Sequence, residues 1–190
     1  MVGMEALERI AAEAAGGDPL AAAALVRATQ SDVWRLCAAL GDRESADDLT
    51  QDTYLRAFGS LHRFENRSSV RTWLLSIARR VCADALRSRR RRRTTLVRDD
   101  ADLEGLSRGH GADPVAEGAT VTDLLARLDP DRREAFVLTQ LLGLPYAEAA
   151  EVAGCPVGTI RSRVARARAD LIGSLGRVKA DGKDGDAAHA

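Results

Sequence analysis

Residues Cys155 to Arg168, CPVGTIRSRVARAR, constrain the fold more than any other stretch of this 190-residue chain. On a helix turning about 100° per residue, Val157, Ile160, Val164, Ala167 and Leu171 form one apolar stripe. Thr159, Ser162 and Arg166 face away from it, flanked by Arg161 and Arg163. Gly154-Cys155-Pro156 supplies a turn, and Tyr146 to Ala153 a short helix before it. A helix that packs on one side and offers Arg, Ser and Thr on the other fits the second helix of a helix-turn-helix that reads DNA.

Alanine, leucine, arginine and glutamate fill the other long stretches, Gly and Pro gather between them, and no run alternates with period two. The chain therefore reads as all-α. The first segment, residues 5–95, offers a helix from Pro19 to Leu40, with Asp18 as N-cap and Gly41 as its stop. A second helix runs from Ser45 to Phe58 and a third from Ser69 to about Arg92. Residues 96–118 lose periodicity and collect Asp, Gly, Ser and Pro, reading as a flexible acidic linker. In residues 119–176 the periodicity resumes with Val121, Leu124, Leu125 and Leu128, then a helix capped by Asp129 and running to Gly143, then the helix-turn-helix. Residues 177–190 are polar and Gly-rich and read as a disordered tail. The expected architecture is two small helical domains joined by a linker.

Formal net charge is zero, which hides a block pattern. From Met1 to Ser60 there are 10 acids and 5 bases, and from Leu61 to Arg98 12 bases and 2 acids. Such blocks point to an acidic face and a basic face with different partners. No run of about 18 apolar residues is present, so no membrane span is expected, and the N-terminus lacks the pattern of a secretory signal, which points to the cytoplasm. The three cysteines, Cys37, Cys82 and Cys155, are widely spaced and read as small buried residues. His62, His110 and His189 are scattered, and no phosphate loop, nucleophile–base set or metal cluster is seen, so no enzyme, cofactor or metal is expected.

Three motifs stand in order along the chain. SADDLTQDTYLRA, from Ser45, resembles the helix with which bacterial sigma factors grip RNA polymerase. VRTWLLSIARR, from Val70, resembles their promoter-melting helix. LLGLPYAEAAEVAGCPVGTIRSRVARAR completes the set, and together they resemble the extracytoplasmic-function (ECF) class of the sigma-70 family, which consists of sigma regions 2 and 4 joined by a linker. The resemblance implies a factor that binds core RNA polymerase and directs promoter-specific initiation through minus-10 and minus-35 elements, acting in the cytoplasm and associated with the nucleoid through polymerase.

Spacing alone puts Asp48, Gln51, Asp52 and Leu55 on one side of a helix, a solvated acidic face or a docking face. The resemblance implies that they meet the clamp helices of the polymerase's largest subunit, while region 4 meets the flap of the second-largest. It further implies that the loop holding Phe64, Asn66, Arg67 and Ser69 captures a base flipped from the non-template strand. Arg71, Thr72, Trp73, Ser76, Arg79, Arg80 and Arg87 would contact the minus-10 region, although Trp73 borders the apolar stripe and by its spacing reads first as core, joining this set only through the resemblance. The run Arg89 to Arg93 is a frayed helix end or a phosphate-backbone contact. Thr159, Arg161, Ser162, Arg163 and Arg166 would read the minus-35 element. Many relatives carry Ser where Pro145 stands, so the S-x-x-E cap ending at Glu148 is lost here. An anti-sigma factor is a further partner common to the class, and the linker would thread toward the polymerase's active-site cleft. A free-standing helix-turn-helix regulator is the alternative that the last motif alone leaves open.

Overall fold

A computed structural model of the protein describes residues 3–41, 43–99 and 121–184. Among these residues every regular element is helical. The first group comprises α1 (Met4–Ala15), α2 (Pro19–Leu40), α3 (Ala46–Ser60) and α4 (Val70–Asp99), with a 3₁₀ turn at Leu61–Arg63. The second comprises α5 (Val121–Ala126), α6 (Pro130–Phe136), a π-helical stretch at Val137–Leu141, α7 (Tyr146–Ala153) and α8 (Val157–Asp184).

Local chemistry accounts for the helix starts. Asp18 accepts from the backbone N–H groups of Leu20 at 2.8 Å and Ala21 at 3.4 Å, and Pro19 occupies the first turn, where its missing N–H costs nothing. Asp129 caps α6 in the same way, ahead of Pro130. Gly41 ends α2 where α3 comes closest: a Cβ there would lie 2.6 Å from Leu49 Cδ1 and 2.9 Å from the Cys37 carbonyl. Only glycine lets the chain turn that tightly between the two helices.

The apolar stripes then decide the packing. α2 buries Val33, Leu36 and Cys37 against Leu49 and Ala57 of α3 and Leu74, Leu75, Ala78 and Val81 of α4, and Leu25 in a smaller cluster with Leu7, Ala11, Leu61 and Val70. In the second group Val137, Leu138, Leu144, Ala149, Ile160, Val164 and Ala167 are buried together. The larger set of the first group and this one form one continuous buried cluster, with α4 packed along α7 and α2 reaching α6.

Two boundaries differ from the sequence expectation. α4 continues to Asp99, beyond the linker start at Leu96, and α8 continues to Asp184, into the tail expected from Arg177. Arginine and lysine are good helix formers, which suits the run Arg89 to Arg93 in α4 and Arg177, Lys179 and Lys183 in α8. The expectations for residues 100–118 and 185–190 lie outside the described residues.

Candidate nucleic-acid interface

α3 presents its acidic side to solvent. Asp48, Gln51 and Leu55 are exposed, Leu55 at 66%, and Phe58 lies beside them. Asp52 is held by Arg56 at 3.2 Å, and Arg56 in turn reaches Asp84 of α4 at 2.7 Å, so the face is braced on the helix behind it.

The loop before α4 gathers Phe64, Asn66, Arg67 and Ser69. Phe64 packs on Trp73 with ring centroids 4.9 Å apart, and both join the small cluster of Leu7, Leu61 and Val70. Trp73 therefore braces the loop from a half-buried position. Asn66 adopts a left-handed φ of 53°, a conformation asparagine tolerates better than most residues. Arg67 is exposed and pairs with Glu65 at 2.5 Å.

Along α4 the candidate polar side divides in two. Arg80 and Arg87 are exposed, Arg87 pairing with Asp84 at 2.5 Å. Arg71, Thr72 and Arg79 are instead engaged by the second helical group. Arg71 donates to Asp32 at 2.7 Å and to the Leu142 carbonyl at 2.6 Å. That carbonyl lies just past the π-helical stretch, where the regular hydrogen-bond ladder has ended. Thr72, only 1% exposed, donates to Glu148 of α7 at 2.7 Å, and Arg79 forms a two-pronged pair with Glu134 of α6. Burial raises the Glu134 carboxyl pKa above its ordinary value in spite of the Arg79 charge. Ser76 is half-buried and donates back to the Thr72 carbonyl at 2.9 Å.

In the helix-turn-helix, Gly154 takes a left-handed φ of 65° and closes α7, and Pro156 leads into α8. Arg161, Ser162 and Arg166 are exposed on α8, with Thr159 half-buried beside them and the small residues Gly158 and Ala165 between the arginines. This leaves a shallow, basic surface that a groove edge can approach. Arg163 points elsewhere: it pairs with Asp131 of α6 and donates to Cys155 Sγ at 3.6 Å. In this arrangement it ties α8 to α6.

The residues missed from sequence are Glu134 and Glu148, the acids that hold the α4 side chains. Glu134 sits within an apparently ordinary amphipathic helix and gives no signal. Glu148 does give one, because Pro145 has neither the side-chain cap nor the N–H that a glutamate three residues later would use. Among the described residues no group of His, Cys, Asp and Glu could hold a metal, and no helix is long and apolar enough to cross a membrane.

Comparison with known proteins divides the chain along the same helical groups. Residues 25–92 match the family described as Sigma-70 region 2, and residues 119–171 match Sigma-70, region 4. The ECF RNA polymerase sigma factor SigC of Mycobacterium tuberculosis is 54% identical over 170 residues, covering 88% of this chain and 90% of the relative. Among solved structures, CnrH in complex with the cytosolic domain of CnrY is similar with a TM-score of 0.66 and 30% identity, covering 88% of this chain and 95% of that one. The sigma factor RpoE in complex with the anti-sigma factor NepR, from Bartonella quintana, gives a TM-score of 0.60 and 30% identity over 80% of this chain and 94% of that one.

Proposed function

We propose how this chain, which belongs to the extracytoplasmic-function class of the sigma-70 family and directs promoter-specific transcription initiation with core RNA polymerase, divides that work among its surfaces. Asp48, Gln51, Asp52 and Leu55 dock on the clamp helices of the largest subunit, and region 4 docks on the flap of the second-largest. The loop of Phe64, Asn66, Arg67 and Ser69 and the α4 side chains Arg71, Thr72, Trp73, Ser76, Arg79, Arg80 and Arg87 contact and open the minus-10 element. Thr159, Arg161, Ser162 and Arg166 serve the minus-35 element, and Arg163, expected among them, holds α8 against α6 through Asp131. The chemistry of RNA synthesis stays with the core enzyme, inside the cell where polymerase works. An anti-sigma factor is a further partner, a reading supported by the complexes in which CnrH and RpoE are seen.

One observation carries the mechanism. Thr72 and Arg79 hold Glu148 and Glu134, whereas the α3 face and Arg161, Ser162 and Arg166 are open to solvent. The free protein thus offers its polymerase-docking and minus-35 surfaces while part of its minus-10 surface is occupied by its own region 4. Region 4 must leave α4 before the minus-10 strand can reach Thr72 and Arg79.

Purified chain added to sigma-free core polymerase should give run-off transcripts from a subset of a promoter library. Asp48→Ala with Leu55→Ala should abolish binding to core, while Arg161→Ala with Arg166→Ala should leave core binding intact and remove minus-35 dependence. Variants that transcribe as the parent does would overturn these assignments.

A further inference from the structure

We infer that the seam between the two helical groups carries a binding site for a small organic anion with an apolar body, a medium-chain carboxylate in chemical class, and that this ligand holds region 4 against region 2. Its consequence for the minus-10 surface rests on the reading given above, that region 4 must leave α4 before that strand can reach Thr72 and Arg79.

The site is a cavity of about 450 Å³ where the end of α2 and the turn after it face α5, α6 and the π-helical stretch. Its volume falls in the range of sites that hold small ligands. Apolar walls come from both helical groups: Trp34 and Ala38 on α2, Leu125 on α5, and Leu141 at the end of the π-helical stretch. The Trp34 indole N–H donates to Asp47 at 2.8 Å, which fixes the ring. Leu141 stays 42% exposed beside the buried Leu138 and Leu142. An apolar ligand therefore removes from water a surface that the fold itself leaves uncovered.

The charge around those walls has one sign. Arg35, Arg43 and Arg133 line the cavity, and no acidic residue does. Among the described residues five arginines are half-buried, and four of them are ion-paired: Arg71 with Asp32, Arg79 with Glu134, Arg132 with Asp170 and Arg163 with Asp131. Arg133 is the exception. Its guanidinium rests on carbonyl oxygens alone, those of Ala126 at 2.6 Å, Leu128 at 3.1 Å and Ala39 at 3.5 Å, and its Nε is shielded without an acceptor. Burial lowers its pKa, and the charge of Asp129 only partly opposes that. A half-buried cation surrounded by dipoles but lacking a counter-charge is what an anion in the cavity relieves. Arg35 and Arg43, exposed on the same cavity, add attraction from its solvent side. An organic cation is repelled by all three, and a small inorganic anion offers nothing to the apolar walls. Because the walls belong to α2 on one side and to α5 and the π-helical stretch on the other, the ligand binds the docked arrangement and stabilises it.

Decanoate, used below its micelle concentration, is the probe. The chain has two tryptophans, so in a Trp73→Phe background Trp34 alone reports the cavity. Decanoate should change its emission saturably, whereas decylammonium and acetate should not. Arg35→Glu with Arg43→Glu, at exposed positions, should weaken decanoate binding about tenfold, and Ala38→Phe should fill the cavity and abolish it, both with the helical circular dichroism of the parent. In the parent, decanoate should slow amide exchange in α4 and α7. At ten times its dissociation constant it should weaken binding of a single-stranded minus-10 probe about tenfold. Absence of a saturable change, an equal response to decylammonium, or unaltered binding by the charge-reversed variant overturns the site, as does a dimer of this chain that buries Trp34 and leaves decanoate unbound. Binding that does not slow exchange in α4 and α7 overturns the bridging role. Slowed exchange with unchanged affinity for the minus-10 probe keeps both and overturns the reading that region 4 limits access.

Discussion

Thr72 of α4 donates its hydroxyl proton to Glu148 of α7 at 2.7 Å, joining residues 76 positions apart in the chain. The bond is one link in a relay, since Ser69 donates its own hydroxyl to Thr72 at 2.8 Å and accepts from the Thr72 backbone N–H at 3.1 Å. What frees Glu148 for it is Pro145. A serine there would cap α7 and offer its N–H to the glutamate three residues on, whereas proline has no N–H to offer. A local change at a helix start is thereby converted into a contact between regions 2 and 4.

Opening that seam should expose the proposed minus-10 surface. Glu134→Gln with Glu148→Gln removes the charge facing Arg79 and weakens the acceptor for Thr72, so a larger fraction of the free protein is open. Because apparent affinity scales with the competent fraction, binding of a single-stranded minus-10 probe without polymerase should tighten about tenfold. Fluorescence anisotropy measures it. Unchanged affinity would show that the seam does not limit access.

Pro145→Ser should act on the same contact from the other side. The serine hydroxyl can cap α7, and Glu148 can turn back to the new N–H, so α7 gains about 1 kcal/mol while the bond to Thr72 is given up. Urea denaturation should show region 4 more stable, and the single-stranded probe should bind more tightly than to the parent. A variant that is stabilised but binds no better would mean that Glu148 keeps Thr72 even when capped.

Most of the helical skeleton was legible because its signals are local. Asp18-Pro19, Asp129-Pro130, Gly41 and Gly154 start or stop helices where the cap chemistry places them. The exposed acidic side of α3 and the exposed Arg161, Ser162 and Arg166 were legible from helical spacing for the same reason. The ends of α4 and α8 were not, because Gly and acidic residues outweighed the helix-favouring Arg and Lys in the reading. Nor was the engagement of Thr72 and Arg79, or the turning of Arg163 toward Asp131. Each depends on which helix from elsewhere in the chain arrives opposite, and periodicity along one helix carries no record of that. Arg133 belongs with these: its hydrogen bond to the Ala39 carbonyl spans 94 positions.

The three thiols should separate by burial. Cys37 and Cys82 are 0% and 1% exposed in the core between α2 and α4, and Cys155 is half-buried at the turn before α8. The hydrogen bond that Cys82 donates to Cys37 and burial both push the Cys82 thiol up, keeping it protonated and unreactive. Under native conditions a thiol reagent should label one site quickly, and Cys155→Ser should remove that reactivity; all three should react in urea. Fast native labelling of Cys37 or Cys82 would mean that the region 2 core opens far more readily than its packing implies.

Tyr54 gives the stability a defined dependence on alkaline pH. Its ring is buried between α2 and α3, its hydroxyl shares a 2.8 Å hydrogen bond with Thr29, and burial pushes its pKa from 10.0 up to about 12. The folded protein therefore holds the phenol proton more tightly than the unfolded chain does. The stability this contributes is fully present below pH 10 and is lost as pH rises from there through about 12. Over that window the loss amounts to about 3 kcal/mol. Tyr54→Phe cannot ionise and should be less stable than the parent at neutral pH by about 1 kcal/mol, the worth of the Thr29 hydrogen bond. The difference between the two proteins in urea denaturation should stay constant up to about pH 9.5 and then shrink and change sign as the parent loses its advantage. A difference that stays flat to pH 12 would show that Tyr54 ionises in the folded state as easily as in water, against its burial.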